Sequence, residues 1–232
     1  MVNNAMNRRI LQLAVPSIIS NITVPLLGLV DVTIVGHLGA PAYIGAIAIG
    51  GLLFNILYWN FGFLRMGTSG LTSQAYGRKD AIGEIRVLVQ AISVALLSAT
   101  CILLLQYPVE KLAFWLLDTS AEVEQYAVSY FRVCIWGAPA VLSMYCFKGW
   151  FIGMQNSRYP MYIAIAVNII NILCSLCFVF LLGMKVEGVA LGTVVAEWSG
   201  LGLALVLWSK KYGVLRTKLS LHSSLHLGAM RH

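Results

Sequence analysis

Residues 160–182 read PMYIAIAVNIINILCSLCFVFLL and contain no Asp, Glu, Lys or Arg. About 20 apolar residues in a helix are enough to cross the hydrocarbon core of a bilayer. Because every backbone polar group in lipid must be satisfied within the segment, this stretch predicts a spanning helix. Working outward from it, the chain shows six apolar segments in all, at approximately residues 10–35, 43–69, 87–107, 125–147, 160–182 and 188–209.

The overall composition agrees with this interpretation. Of the 232 residues, 59% are apolar and 11% are charged, and the mean hydropathy is +0.81. An average soluble domain is about 45–50% apolar and about 25% charged. The composition excludes a soluble globular domain, a disordered tail and a nucleic-acid binder with a charged face. We expect an all-α integral membrane protein, with a six-transmembrane-helix bundle over residues 1–209 and a basic cytoplasmic connector, cut short, over residues 210–232.

The charged residues orient the predicted bundle. With the N-terminus inside, the cytoplasmic pieces hold 12 of the 16 basic residues, and Lys148 is counted among them. The outer loops hold two basic residues, Lys111 and Lys185, together with five acids. The positive-inside rule then predicts a multi-pass protein of the plasma (inner) membrane with both termini cytoplasmic. The same rule accounts for the net charge of +7 without a nucleic-acid partner.

Asp31 is the most informative ionisable residue inside a predicted span, since such residues are costly in lipid and suggest a functional site. On a helical wheel, Ser17 and Ser20 lie within about 40° of Asp31. Pro16 and Pro25 each remove a backbone hydrogen bond and allow the helix to bend. A carboxyl group in lipid without a basic neighbour favours its neutral form and can exchange a proton. The alternative is a hydrated residue that caps a turn at the outer interface.

The fifth span carries three polar side chains on one face, Asn168, Asn171 and Ser175. They either line a polar cavity inside the bundle or form hydrogen bonds between helices. The sixth span carries small residues at every fourth position, which predicts a close helix-packing seam. These small residues are Gly188, Gly192, Ala196, Gly200 and Ala204.

Three more ionisable residues lie within the spans. Glu197, four residues after Thr193, is either a second titratable group or the partner of a basic residue such as Arg132. Arg132 is expected to pair with an acid of the outer loop or with Glu197. Arg65 is expected to extend to the inner interface. The sequence has no HExxH, GxSxG, Walker or GxGxxG motif, and we predict neither an enzyme, nor a cofactor, nor a metal site.

Several strings in this sequence, taken in order, resemble the multidrug and toxic compound extrusion family, and specifically its DinF-like branch. The resemblance covers roughly residues 7 to 218. The matching strings are LAVP at 13–16, DVTIVGHLG at 31–39, FLRMGT at 63–68, GLTSQAYG at 70–77, YFR at 130–132, GWFIGMQN at 149–156 and EGVALGT at 187–193.

The resemblance implies the N-terminal half of a twelve-span antiporter, which exports bulky, often cationic, organic compounds against H⁺ or Na⁺. It implies a cation-coupling role for Asp31, a helix-bending role for Pro16, and a polar cavity with Tyr130, Asn171 and Thr193. Relatives often carry an Asp at the position of Ser175, and Glu197 is a possible substitute for it. Asn168 is expected in the same cavity.

The resemblance also implies a partner, namely a second six-helix lobe that this sequence lacks. Two alternatives remain open at this stage. One is a flippase of polysaccharide or lipid precursors with a related fold, for which a cavity lined by several Arg or Lys would speak. The other is a non-transporting fragment or assembly subunit with the same fold.

Overall fold

A computed structural model describes residues 11, 14–16, 18, 19, 22, 28–117 and 119–229, with side chains up to Gly213 in the last helix. All regular structure in these residues is helical, as predicted. We label the helical residues 28–36 as α1. The other helices are α2 (Pro41–Trp59), α3 (Gly62–Gly77), α4 (Ala81–Leu104), α5 (Gln106–Leu116), α6 (Ala121–Cys134), α7 (Ala138–Gly153), α8 (Arg158–Leu176) and α9 (Val186–Ala229).

Among the described residues, five helical segments are long and apolar enough to cross a membrane. They match the second to sixth predicted spans. They are Pro41–Gly77, Ala81–Leu104, Ala121–Gly153, Arg158–Leu181 and Val186–Gly213. The first predicted span, 10–35, lies largely outside the described residues, although its part in α1 is helical. Successive spans alternate in direction, so the bundle has an acidic end, which holds Glu110, Glu122 and Glu187, and a basic end, which holds Arg78, Lys79 and Arg158.

The predicted segments differ from the helices where local chemistry decides the boundary. The second segment is interrupted at Asn60, whose side-chain amide donates to the Ile56 carbonyl oxygen at 2.7 Å. Helix α4 begins earlier than predicted because Asp80 caps it, its Oδ1 accepting from the Gly83 N–H at 2.9 Å. The third polar gap contains α5, and α9 continues through the predicted boundary at residue 209 without a break as far as Ala229.

Two glycine-lined seams hold the bundle together. Helices α8 and α9 meet where Gly192 lies against Ser175 and Gly200 lies against Val167. This confirms that the four-residue repeat of small residues in the sixth span is a packing seam. Helices α3 and α7 also meet closely, because Gly149 faces the backbone carbonyl of Arg65 and Gly153 faces Thr72. Side chains at these glycines would hold the helix axes apart.

The acidic end is tied by polar contacts. Arg132 donates to both carboxylate oxygens of Glu110, each at 2.8 Å, so the expected pairing with an outer-loop acid is present. The alternative prediction, that Arg132 pairs with Glu197, is wrong. Nearby, a hydrogen bond to the Tyr43 hydroxyl raises the pKa of the Lys185 ammonium above its ordinary value. These contacts place α2, α5, α6 and the start of α9 at one end of the bundle.

Candidate functional site

Asp31 lies in α1 and is only 5% exposed. Its Oδ1 is buried without a hydrogen-bond partner among the described residues. The carboxylate interacts electrostatically with the Tyr130 hydroxyl and the Cys134 thiol, both on α6. The alternative of a hydrated turn cap is therefore wrong, since a cap would be exposed and would accept a backbone hydrogen bond. An unpartnered buried carboxyl is a group with capacity to bind a proton or a cation.

Tyr130 is positioned by a glycine on the neighbouring helix. Its ring lies over Gly50 of α2, so closely that a methyl group there would overlap the ring carbons. Phe54, one helical turn further along α2, packs against the same ring with a centroid separation of 6.4 Å. Cys134, one turn after Tyr130, donates weakly to the Ala190 carbonyl oxygen of α9 at 3.8 Å. The α2–α6 contact thus fixes the tyrosine beside Asp31.

Replacing Gly50 with Ala is expected to lower the gradient-driven transport that the family resemblance implies by about tenfold, since a shift of about 1 Å in a positioned group can cost up to about a hundredfold in rate. The added methyl group must displace the Tyr130 ring from beside Asp31. The measurement is the rate of gradient-driven dye uptake in vesicles, normalised to the amount of folded protein. Gly51→Ala is the matched control, because a methyl group at Gly51 meets nothing within 4 Å. Equal rates for both variants would contradict the positioning role of Gly50.

The polar face of α8 meets α9 rather than an open cavity. Asn171 is fully buried and its amide donates to the Thr193 hydroxyl oxygen at 3.0 Å. Thr193 in turn donates to the Val189 carbonyl oxygen at 3.1 Å. Ser175 is fully buried one turn beyond Asn171, and Asn168 is partly buried one turn before it. For Asn171, the expected hydrogen bond between helices is observed; the predicted polar cavity around Asn168, Asn171 and Ser175 stays a prediction.

Two oxygens on this face nevertheless have no partner among the described residues. They are Oδ1 of Asn171 and Oγ of Ser175, and both are buried. A buried polar atom without a hydrogen bond costs free energy, on the order of 1–3 kcal/mol, unless something fills the vacancy. Both oxygens are ligand types suited to a water molecule or a hard cation.

Glu197 lies one turn beyond Thr193 on α9, and its Oε2 is buried without a hydrogen-bond partner among the residues described. The carboxylate interacts electrostatically with Tyr130 and Cys134, the same two groups that interact with Asp31. The structure therefore brings both carboxylates within electrostatic reach of the same two α6 side chains. The sequence kept open whether Glu197 pairs with Arg132 or stays free. It has no ion-pair partner within 4 Å among the described side chains.

Lys148 is the residue that sequence reasoning misplaced. Its position just after the fourth apolar segment predicts a cytoplasmic location outside the span, but it lies inside α7, partly buried, and interacts electrostatically with Glu197 and Arg65. Its assignment to a loop followed from its position near the end of an apolar segment, which does not show which way a side chain points. The sequence signal that could have placed Lys148 inside the bundle is the neighbouring Gly149, which brings α7 against α3.

An open cavity of about 420 Å³ adjoins this region between α2 and α7. Three of its five lining side chains are aromatic, and the lining residues are Asn55, Ile56, Tyr58, Trp59 and Tyr145. Tyr58 and Tyr145 both interact electrostatically with Glu197. An aromatic wall beside a carboxylate suits an organic cation, because aromatic faces attract positive charge.

The predicted bend at Pro16 depends on residues outside the described part of the chain. Pro16 is helical and buried, but the residues around it lie outside the described ones, so the predicted bend is not tested. Within the described residues, no group of three or more His, Cys, Asp or Glu side chains is placed to hold a metal ion.

Several residues of this site lie within a stretch of the chain that matches a known family. Residues 16–185, which include Asp31, Tyr130 and Asn171, match the family described as MatE. The chain belongs to the MatE family. The resemblance inferred from the sequence strings is thereby confirmed. Members of the MatE family are transporters, which also confirms that the chain is not an enzyme.

Two curated MatE relatives are similar along most of this chain. The DNA damage-inducible protein F of Escherichia coli (strain K12) is 41% identical over 198 residues, which is 85% of this chain and 43% of that protein. Protein DETOXIFICATION 44, chloroplastic, of Arabidopsis thaliana is 26% identical over 218 residues, which is 89% of this chain and 41% of that protein. The chain thus spans less than half the length of these relatives.

A solved structure shows the same MatE fold. A MOP superfamily transporter from Pyrococcus furiosus superposes with a TM-score of 0.80 at 21% identity, over 88% of this chain and 45% of that one. This confirms the all-α membrane class, with the described helices forming one lobe-sized bundle. The match to about half of the other chain agrees with the predicted N-terminal half.

Proposed function

We propose that this chain is the N-terminal lobe of a secondary active transporter that exports organic, often cationic, compounds by antiport with H⁺ or Na⁺. Coupling passes through Asp31, and no cofactor takes part. The observation that carries the proposal is the Asp31 carboxyl group, which is 5% exposed and has an oxygen without a hydrogen-bond partner in the part of the chain that the structure describes. Such a group gains a large stabilisation when a cation or proton arrives, so it favours exchange over a fixed structural role.

The substrate class rests on a separate observation. The cavity between α2 and α7 presents Tyr58, Trp59 and Tyr145, and two of these, Tyr58 and Tyr145, interact electrostatically with the Glu197 carboxylate. Flat organic cations combine a positive charge with an apolar body. The aromatic rings offer contacts for the apolar body, and the Glu197 carboxylate attracts the positive charge. The relatives named for multidrug resistance among the solved MatE structures agree with such a substrate. Half a transporter does not enclose a path, so the functional unit also includes a second six-helix lobe as partner.

The location follows from the same proposal. The structure has the helices of a multi-pass membrane protein. We place it in the plasma (inner) membrane with both termini cytoplasmic, since its basic end then faces the cytoplasm. The organic compounds are accordingly taken from the cytoplasmic side and released outside.

The test is an uptake assay in everted membrane vesicles that contain the protein with its second lobe. A fluorescent organic cation is added outside, and either a pH gradient or a Na⁺ gradient is imposed across the same vesicles. We expect dye accumulation under one of the two gradients and none without a gradient. Vesicles with this chain alone are expected to show no coupled uptake. Failure of both gradients in vesicles with both lobes contradicts the proposal.

A second candidate function has one observation in its favour. Two basic side chains, Lys148 and Arg65, lie near each other in the half of the bundle closer to the basic end. Basic residues inside the lobe suit the anionic phosphate of a lipid-linked precursor, as a flippase would carry. Gradient-independent transfer of a labelled lipid-linked precursor between leaflets, without dye uptake, would favour this candidate.

A further inference from the structure

Glu197 occupies a confined position in the middle of α9. Its Oε2 lies directly against Gly137, in the single 3₁₀ turn Ile135–Gly137 between α6 and α7. A methyl group at Gly137 would overlap the carboxylate, so the glycine leaves room for it. Trp198, the next residue, donates to the Trp136 carbonyl oxygen at 3.1 Å and fixes α9 against the same turn. The carboxylate is thus held in place by geometry, while its Oε2 has no hydrogen bond to any residue that the structure describes.

The titratable and charged groups facing Glu197 come from three neighbouring helices. They are Tyr58 on α2, Tyr130 and Cys134 on α6, and Tyr145 and Lys148 on α7. Asp31 on α1 and Arg65 on α3 form the next layer, since they interact with Tyr130 and Cys134, and with Tyr145 and Lys148, respectively. Among these, Lys148 is the one cation that acts directly on Glu197.

Lys148 and Glu197 attract each other without touching. The ion pair between Arg132 and Glu110 is the one within 4 Å among the described side chains. Two opposite charges in a medium of low dielectric interact strongly even at a longer separation. The gap between them leaves the Glu197 oxygen available to another positive species.

We propose that Glu197 is a second cation-exchange site of this lobe, with Lys148 as its tethered counter-cation. The proposal rests on the proposed antiport function and adds a second site to Asp31. A proton or a Na⁺ ion binds at the Glu197 carboxylate and neutralises it, which leaves the Lys148 charge uncompensated. The bound cation and the Lys148 ammonium therefore compete for one carboxylate. Lys148 keeps the affinity moderate, and a transported ion must bind loosely enough to leave again.

The test measures cation binding by itself, on purified protein that includes its second lobe. The midpoint of thermal unfolding is followed against Na⁺, replaced by choline at constant ionic strength, and separately against pH. In whichever titration shifts the midpoint, Lys148→Met is expected to lower the half-saturating cation concentration roughly tenfold. The reason is that the substitution removes a competing positive charge in a medium of low dielectric. In a Glu197→Gln background, Lys148→Met is expected to have no such effect.

Two further variants make the result specific to the carboxylate. Gly137→Ala keeps every charge but displaces the Glu197 carboxylate, and it is expected to weaken cation binding. Gly202→Ala on α9 is its matched control, since a methyl group there meets nothing within 4 Å. Lys210→Met is the control for Lys148→Met, because Lys210 is exposed. If Glu197→Gln does not yield folded protein, Gly137→Ala and Glu197→Asp carry the same comparison.

The outcomes separate this proposal from the role of Asp31. In an Asp31→Asn background, the effect of Lys148→Met is expected to persist. Its disappearance there would overturn the proposal, because the competing cation would then sit at Asp31. A Lys148→Met effect of equal size in the Glu197→Gln background would overturn it as well. Failure of dye uptake in the vesicle assay, with these binding results intact, counts against the antiport function alone.

Discussion

Asp31→Asn is expected to reduce gradient-driven dye transport roughly a hundredfold, the lower range for removal of a proton-transfer group. Asn has nearly the same size as Asp, so the packing of α1 against Tyr130 and Cys134 is retained. What disappears is the capacity to carry a negative charge in a position that is 5% exposed. The measurement is the initial rate of dye uptake in everted vesicles under the gradient that drives the unmodified protein.

The control for this result is the same chemical change at an exposed position. Asp80→Asn replaces the N-cap of α4, and Asn caps helices about as well as Asp does. It is expected to leave the uptake rate within about twofold, as a surface change with little effect on stability. Unchanged coupled uptake in Asp31→Asn, with Asp80→Asn also unchanged, would mean that Asp31 has no coupling role. Passive dye exchange without a gradient should survive in Asp31→Asn, since the path itself is not blocked.

Gly149→Ala is expected to destabilise the lobe by about 3 kcal/mol, the upper range for over-packing a close contact. The added methyl group meets the backbone carbonyl of Arg65, and a backbone cannot move aside as a flexible side chain can. Helices α3 and α7 must therefore separate along their whole seam. The measurement is the thermal unfolding midpoint in detergent, together with the yield of monodisperse protein.

Gly67→Ala is the matched control in the same helix pair, and it is expected to change stability in the opposite direction. A methyl group at Gly67 of α3 meets nothing within 4 Å. Because Ala is a better helix former than Gly by about 1 kcal/mol, Gly67→Ala is expected to raise the unfolding midpoint. A midpoint for Gly149→Ala at or above that of the unmodified protein would show that the α3–α7 contact is looser than the structure indicates.

The helical pattern was predictable because it depends on composition along the chain. Residues 160–182 predict a span from hydropathy alone, and the repeat from Gly188 to Ala204 predicts a seam from spacing alone. Both features can be read along the chain without knowing which helices pack together, and both are found in α8 and α9. The boundaries were less predictable, since the break at Asn60 and the early start of α4 depend on single side-chain hydrogen bonds.

The interior of the site was only partly predictable. Asp31 stands out because a carboxylate within an apolar run is rare, and the structure places it among buried groups as expected. The neighbours of Glu197 depend on which helices pack together, which a single sequence does not state. Lys148 was missed for this reason. The α3–α7 seam could have been found, because Gly149 and Gly153 are spaced as in a small-xxx-small motif.

The glycine seams also determine where the sequence of this lobe is free to change. Leu97 and Leu104 are 72% and 77% exposed, so a saturation library is expected to accept most apolar residues at both positions. At Gly149, Gly153 and Gly192 the same library is expected to accept almost nothing. Engineering for a more stable protein should therefore start on the outward helix faces. The least replaceable positions in this lobe are ones that carry no side chain at all.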